Sequence, residues 1–557
     1  MVVLVVVFLH KFANMKILQS SCITLLSMLC ILPMIILSST DETYETERRE
    51  IINKENDQRF GSHLTLNRDE RQVNDYLMKL KDREMKLYES GVEMYPSSML
   101  FTDAKKQIDR SKIFHFLQKM PKGGLLHVHG SAMASVDWLI SFATYMPNCY
   151  MCWDREKYIV YKFLFCPKLP PKIRGCAWER VCHARKYHTE GVIAFDEMLV
   201  NAITFNSSKL SSVESDQNDI WNTFEQYFML TRNLIRYKPV FSKYIHQGLI
   251  ELFKDNIQHF EIRMSLSSQN ILPGVFFTSS SELKVSVQRI NFEETETGFC
   301  PLSCLKKYEV SIMFILALNF LNDAKQTKCN LSHRKFASNY VEVSSIYRVR
   351  MSKTLTEICL NQCFLSIYIV YFTLRNAPNP VILKRLNDAI EVSQKYPEHF
   401  AGFDLVGQED KGKTLRSLMS ILKNKKIPFF FHAGETNDQG TPIDENLVDA
   451  ILLGTKRIGH GYALVKHPEF LKLAQERNLP IEICPISNQL LGLVRDLRNH
   501  PASYLFANNF TVVITSDDPA VWEASGLSYD FYLTFMAMVS RKADIRVLKQ
   551  LAINSIK

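Results

Sequence analysis

The sequence predicts an α/β protein built on a (β/α)8 barrel of the TIM type, and three observations carry that expectation. Eight short apolar runs each end in polar residues: "GGLLHVHG", "NIQHFEIRM", "FLSIYIVYFTLRN", "EHFAGFDLVG", "IPFFFHAGE", "TKRIGHG", "LPIEICPIS" and "FTVVITSDDP". Segments of helical character, 411–424, 441–453 and 467–477, separate the later runs. Strands alternating with helices imply a parallel sheet, because a parallel return needs a crossover. His127, His129, His432, Glu435, His460, Asp517 and Asp518 all fall where a run ends, which is where such a barrel carries its functional groups.

From the N-terminus onward, residues 1–40 read as a secretory signal. It has its true start at Met15 or earlier, a basic Lys16, an apolar core to Leu37, and small residues Ser38, Ser39 and Thr40 before Asp41. A signal anchor is the competing reading, since residues 17–37 are nearly long enough to span a bilayer. Ser20, Ser21, Cys22 and Pro33 dilute the run and favour cleavage, and no later segment reads as a span. Residues 41–112 form a charged, helix-like segment. In "RQVNDYLMKLKDREMKLYESG", Val73, Leu77, Leu80 and Leu87 recur at helical spacing and Glu84 breaks the stripe. That face suits packing on the main domain or on a second subunit.

Residues 113–557 carry the barrel, with two interruptions. Between 146 and 205, Cys149, Cys152, Cys166, Cys176 and Cys182 crowd together, which in a secreted chain points to at least one disulfide. Residues 265–365 are too long for one βα connection and lack steady periodicity, so they are an insertion or retained intron sequence. Glycosylation triplets begin at Asn206, Asn330 and Asn509. The net charge of +9 is modest for 557 residues. Lys and Arg are scattered without a stripe interleaved with aromatics, so no nucleic-acid partner is expected.

The chemistry is concentrated at the run ends. His127 and His129 sit at i and i+2 of a strand and share a face. With His432 and Asp517 from separate strand ends they could converge on one ion. Nitrogen ligands plus one carboxylate and an open position suit zinc. Glu435 lies three residues beyond His432, in reach for proton exchange above such a metal. His460 is flanked by Gly459 and Gly461, which permit close approach. "SDDP" offers two carboxylates, one for metal and one for substrate. Each piece alone is more often structural: a strand end, a turn, a turn opener. Together, in this order and at these places, they point to a metal-dependent hydrolase.

"MPKGGLLHVHG", "AGFDLVGQED", "FFFHAGETNDQGTPIDENLVDA", "TKRIGHGYALVKHP", "IEICPISNQLLGLVRDLRNHP" and "SDDPAVWEASGLSYDFY" resemble the adenosine deaminase-related growth factors, the secreted type-2 adenosine deaminases of animals. The resemblance covers roughly residues 70–265 and 365–557. It implies one Zn2+ per subunit on His127, His129, His432 and Asp517. It further implies Glu435 as proton donor to purine N1, and His460 orienting or deprotonating the attacking water. Asp518 would hold N7, and the Gly407 backbone would meet the other side of the ring. Trp221 and Glu225 of "WNTFEQYF" are the implied ribose-side contacts. A Cys152–Cys176 disulfide is implied in the insertion, which the family associates with a cell-surface receptor; the basic charge adds a glycosaminoglycan as candidate partner. The N-terminal helical segment would dimerise the protein. No H-x-E with P-C-x-x-C occurs, so the cytidine-type zinc deaminase architecture is not indicated.

Three departures stand out. Where the family has an acid after the second histidine, this chain has Gly130. Where some relatives have a histidine before Arg375, it has Leu374. The chain ends at Lys557 before the last helical segment expected to close the barrel. The leading expectation is a secreted deaminase of adenosine or 2′-deoxyadenosine. The alternative is a growth factor or surface-binding protein with a weak or inactive barrel. Another barrel hydrolase, acting on an amide or phosphoester, fits "HAGE", "RIGHG" and "SDDP" poorly.

Overall fold

The computed structural model describes residues 42–205, 217–264 and 366–556. The signal-like segment, the 265–365 stretch and the triplets at Asn206 and Asn330 lie outside them. Residues 42–63 form a unit of their own, helical over 42–57.

In the larger unit, eight strands make the barrel: β1 (Gly123–His129), β5 (Ile257–Met264), β6 (Ser366–Leu374), β7 (Phe400–Val406), β8 (His432–Ala433), β9 (Ile458–His460), β10 (Ile481–Ile483) and β11 (Val512–Ile514). All eight apolar runs are therefore strands. Each strand pairs in parallel with its neighbours, in two sheets ordered β1-β5-β6-β7 and β8-β9-β10-β11. Two seams join the sheets. Phe403 bridges Phe429 at one, and Val128 bridges Asp517 at the other. At the second seam His129 N donates to Asp517 O at 2.9 Å and Asp517 N donates to His127 O at 3.0 Å. The circle is closed, so no strand edge is left open there.

The covering helices follow the strand-to-helix alternation. They include α2 (Gln217–Ile235) and α3 (Lys238–Lys254) before β5, α4 (Asn379–Lys395) after β6, α5 (Asn446–Leu452) after β8, α6 (Pro468–Glu476) after β9 and α7 (Ala502–Ala507) before β11. Helix α8 (Ile545–Asn554) follows β11. Asn554 Nδ2 donates to Val512 O at 2.9 Å on β11, and Gly124 N on β1 donates to Ser555 Oγ at 2.7 Å.

Helix α1 (Arg68–Glu89) starts in a capping box, with Asn67 and Glu70 exchanging hydrogen bonds. Val73, Leu77 and Leu80 are buried, whereas Leu87 is exposed. Of the two packing partners open in the sequence, the barrel domain takes this face. Lys81 Nζ donates to Ser540 O and Ala543 O, Ile545 N donates to Asn74 Oδ1, and Lys549 pairs with Glu70 at 2.8 Å. Glu84, the break in the stripe, accepts from Ser111 Oγ at 2.7 Å, at the start of the helix Lys112–Lys119.

Within the cysteine-rich insertion, β2 (Cys149–Asp154), β3 (Ile159–Phe165) and β4 (Ala177–Arg180) form an antiparallel sheet ordered β3-β2-β4. Cys152 on β2 is bonded to Cys176, just before β4, with Cα atoms 5.5 Å apart. Cys149, Cys166 and Cys182 are free thiols.

Candidate active site

The strand ends converge. Nitrogen atoms of His127, His129 and His432 and a carboxylate oxygen of Asp517 lie within 4.8 Å of one another, all on buried residues. His129 Nε2 is 3.1 Å and His127 Nε2 3.3 Å from the same oxygen, Asp517 Oδ1. His127 Nε2 and Asp517 Oδ1 are buried without a hydrogen-bond partner. Buried polar atoms are rarely left so, and three imidazoles with one carboxylate form a donor set that suits a divalent ion such as zinc. The residues present fit a metal.

Behind the donor atoms lies a charged shell that fixes the rings. His127 Nδ1 donates to Glu482 Oε2 at 2.9 Å, and His432 Nδ1 donates to Asp404 Oδ2 at 2.7 Å. Each bond leaves Nε2 with its lone pair facing the centre. Both carboxylates are held by Arg263 of β5, which is fully buried and donates to Asp404 at 2.8 Å and to Glu482 at 2.9 Å. Burial works against the charge on Asp404, but His432 and Arg263 outweigh it and hold the carboxyl well below the usual range. The layer directly behind the donor atoms is thus a buried ion-pair network.

His460 and Asp517 occupy the left-handed backbone region, at φ +61° and +59°. Such conformations cost of order 1–3 kcal/mol and concentrate at functional sites. His460 Nε2 faces Glu435 Oε1 at 3.5 Å and Asp517 Oδ2 at 3.9 Å. The close approach needs Gly459, where a Cβ would press to 3.3 Å against both His127 and His432. Glu435 is held through its backbone, its N–H donating to Glu409 Oε2 at 2.6 Å. Burial, then the charges of Asp517 and Glu409, pushes the Glu435 carboxyl well above its ordinary range. Asp518 is raised as well, by burial and then by Asp517 and Glu435.

A cavity of about 520 Å³ opens over these groups. His129, His432, Glu435, Asp517 and Asp518 line its floor, and Trp221, Glu225 and Gly407 line its walls. His127 and His460 sit beneath, fully buried. Every site residue expected from the sequence is thus in or against one cavity, apart from the disulfide pair, which lies in the insertion. Gly130 also lines it; a Cβ there would come 2.8 Å from the Met264 methyl, the far end of a flexible side chain, and 3.1 Å from Ile262. Leu374 contributes an apolar wall. Arg375 behind it donates to His432 O at 2.8 Å and faces Glu409 at 3.6 Å.

Comparison with known proteins decides the family. Residues 367–557 match the model described as "Adenosine deaminase", and residues 24–117 match "Adenosine/AMP deaminase N-terminal". Adenosine deaminase 2 of Homo sapiens is 35% identical over 524 residues, covering 93% of this chain and 89% of the relative. The adenosine deaminase of Lutzomyia longipalpis is 36% identical over 529 residues, covering 94% and 90%. The chain belongs to the adenosine deaminase family. Adenosine deaminase 2-A of Danio rerio, at 34% identity over 92% of this chain and 88% of the relative, adds a third relative of the same length class.

Within this family member, the sequence reading missed Arg263, Asp404, Glu482, Asn488 and His500. Three of them carried a signal. Arg263, Asp404 and Glu482 are charges inside "FEIRM", "GFDLV" and "IEIC", runs otherwise apolar. A charge buried there must be paired.

Proposed function

We propose that this protein hydrolyses adenosine or 2′-deoxyadenosine to inosine or deoxyinosine and ammonia, with His127, His129, His432 and Asp517 holding one zinc ion per subunit. The observation that carries the reading is the meeting of that four-residue donor set with Glu435 and His460 beneath one cavity. The bound ion would supply a water acidified towards neutral pH. The chain's own groups do the rest. Glu435, whose surroundings favour its protonated form, gives a proton to purine N1 as water adds at C6. His460, whose Nε2 faces the floor, orients that water, and a proton of the water leaves with the amino group as ammonia. Asp518 in its protonated form donates to N7, and the Gly407 backbone faces the other ring edge. Trp221 and Glu225 flank the ribose.

The apolar segment before Asp41, the Cys152–Cys176 bond and the glycosylation triplets support secretion. A homodimer, a growth-factor role and a cell-surface receptor rest on the family resemblance alone, and a glycosaminoglycan partner on the basic charge. Among the described residues no helix is long and apolar enough to cross a membrane.

The deciding experiment follows ultraviolet absorbance as purified protein meets adenosine, with and without a chelator. Turnover abolished by the chelator and restored by zinc is the expected result. Glu435→Gln should keep its zinc and lose about 10²–10⁴-fold in kcat. Normal turnover in a zinc-replete variant would remove Glu435 from the chemistry.

A further inference from the structure

The cavity is longer than the proposed nucleoside contacts require. Along α2, Trp221, Glu225, Phe228 and Arg232 recur at three- and four-residue intervals, Arg236 follows one residue past its end with its N–H donating to Arg232 O at 3.0 Å, and all line it. These residues form one helical face. From Glu225 to Arg232 is seven residues, about 10 Å along the axis. A third guanidinium, Arg385 of α4, reaches the same end. Three arginines therefore stand together in the substrate cavity, beyond the residues proposed to flank the ribose.

Among the described residues their charge is answered only in part. Among the described residues, no carboxylate lies within ion-pair distance of Arg232 or Arg236, and Arg385 has only Asp388, at 3.6 Å. The acids that line the cavity are Glu225, Glu435, Asp517 and Asp518, each already given to the ribose end or the floor. Burial, then the charges of Arg232 and Arg385, pulls the Arg236 guanidinium down to about 10. Clustered like charges in a partly dry wall are unfavourable unless something anionic binds there. Planar guanidinium forks match phosphate oxygens in geometry as well as charge.

We propose that Arg232, Arg236 and Arg385 form a phosphate subsite of the substrate cavity, and that the enzyme accepts adenine nucleosides carrying a phosphate on the ribose. The orientation of that substrate rests on the deaminase reading above; the anion site itself does not. In this arrangement the purine sits over Glu435 and Asp518, the sugar lies against Trp221, and the phosphate reaches the arginines.

The test compares adenosine with adenosine 5′-monophosphate on the wild type and on the Arg232→Ala/Arg236→Ala double variant. Expected are turnover of the monophosphate by the wild type and a rise of at least about tenfold in its KM in the double variant. The KM for adenosine should change less than twofold, and added inorganic phosphate should compete with the monophosphate. Titration calorimetry with adenosine 5′-monophosphate and with inorganic phosphate reads the subsite without turnover. Binding lost in the double variant supports the subsite even if adenosine is not deaminated, a result that would sink only the deaminase reading. Wild-type protein that deaminates adenosine but neither binds nor processes the monophosphate overturns the proposal. So does an equal loss on both substrates in the variant. Inorganic phosphate that alters adenosine turnover while the monophosphate is refused would mark a site for free phosphate, and overturns it too.

Discussion

Asn488 settles the proton position on two histidines with one side-chain amide. The backbone N–H of Ala502 donates to His500 Nδ1 at 3.0 Å, so His500 carries its proton on Nε2 and donates to Asn488 Oδ1 at 3.0 Å. The amide nitrogen of Asn488 is then directed at His460 Nδ1, 3.2 Å away. His460 must accept there and present Nε2–H toward Glu435 and the cavity floor. Asn488→Leu should lower kcat about 10–100-fold, with KM and zinc content close to wild type, since the altered group acts through His460. Steady-state kinetics with metal analysis checks this, and unchanged kcat would deny Asn488 that part. Groups that touch an ion or substrate were legible in the sequence because their type and place at strand ends are unusual. Asn488 and His500 were not, because their meaning lies in a hydrogen-bond chain that only the fold assembles.

At the scale of elements, the eight strands were legible because buried parallel strands are nearly continuous apolar runs. Their lengths were not: β8 to β11 hold only two or three residues each, while β6 holds nine. The insertion sheet was missed although "CYMCWD" and "IVYKFLF" are rich in β-formers, since the cysteines drew the reading there. Helix α1 carries a consequence of its own. Lys81 is buried, donates to two carbonyls and stands 3.8 Å from the Phe535 ring centre. Burial pulls its ammonium down to about 7, with Asp544 opposing. The unfolded chain keeps that proton up to its ordinary value of 10.5, so between the two values the unfolded state binds more protons. Folding stability from this group therefore rises with pH across that window. Relative to Lys81→Met, the wild type should gain up to about 1.4 kcal/mol per pH unit above pH 7. Urea unfolding of both proteins at pH 7 and pH 9 measures the difference; a gap that does not change with pH refutes it.

For the whole molecule, the proposed ion would join both halves of the barrel, since its ligands come from β1, from β8 and from the residue beyond β11. Without it, Asp517 Oδ1 and His127 Nε2 remain buried with no hydrogen-bond partner. Chelation should lower Tm by about 5 °C or more, and zinc should restore it, as expected for a ligand that binds only the folded state. Differential scanning calorimetry before and after dialysis against chelator tests this, and an unchanged Tm would mean the donor set holds no stabilising ion.

The seam between β1 and Asp517 also sets a timetable for the newborn chain. His127 and His129 leave the ribosome early, and their partner Asp517 follows roughly 390 residues later. At ordinary rates of synthesis that interval is about 20–80 s. Once β5 has followed, β1 has one neighbour it can recruit and one side left bare until Asp517 arrives, the condition in which chains are most exposed to mispairing. The four-residue donor set cannot be complete before Asp517 arrives. A complete set therefore marks a molecule that has been translated through the last strand and has closed its ring.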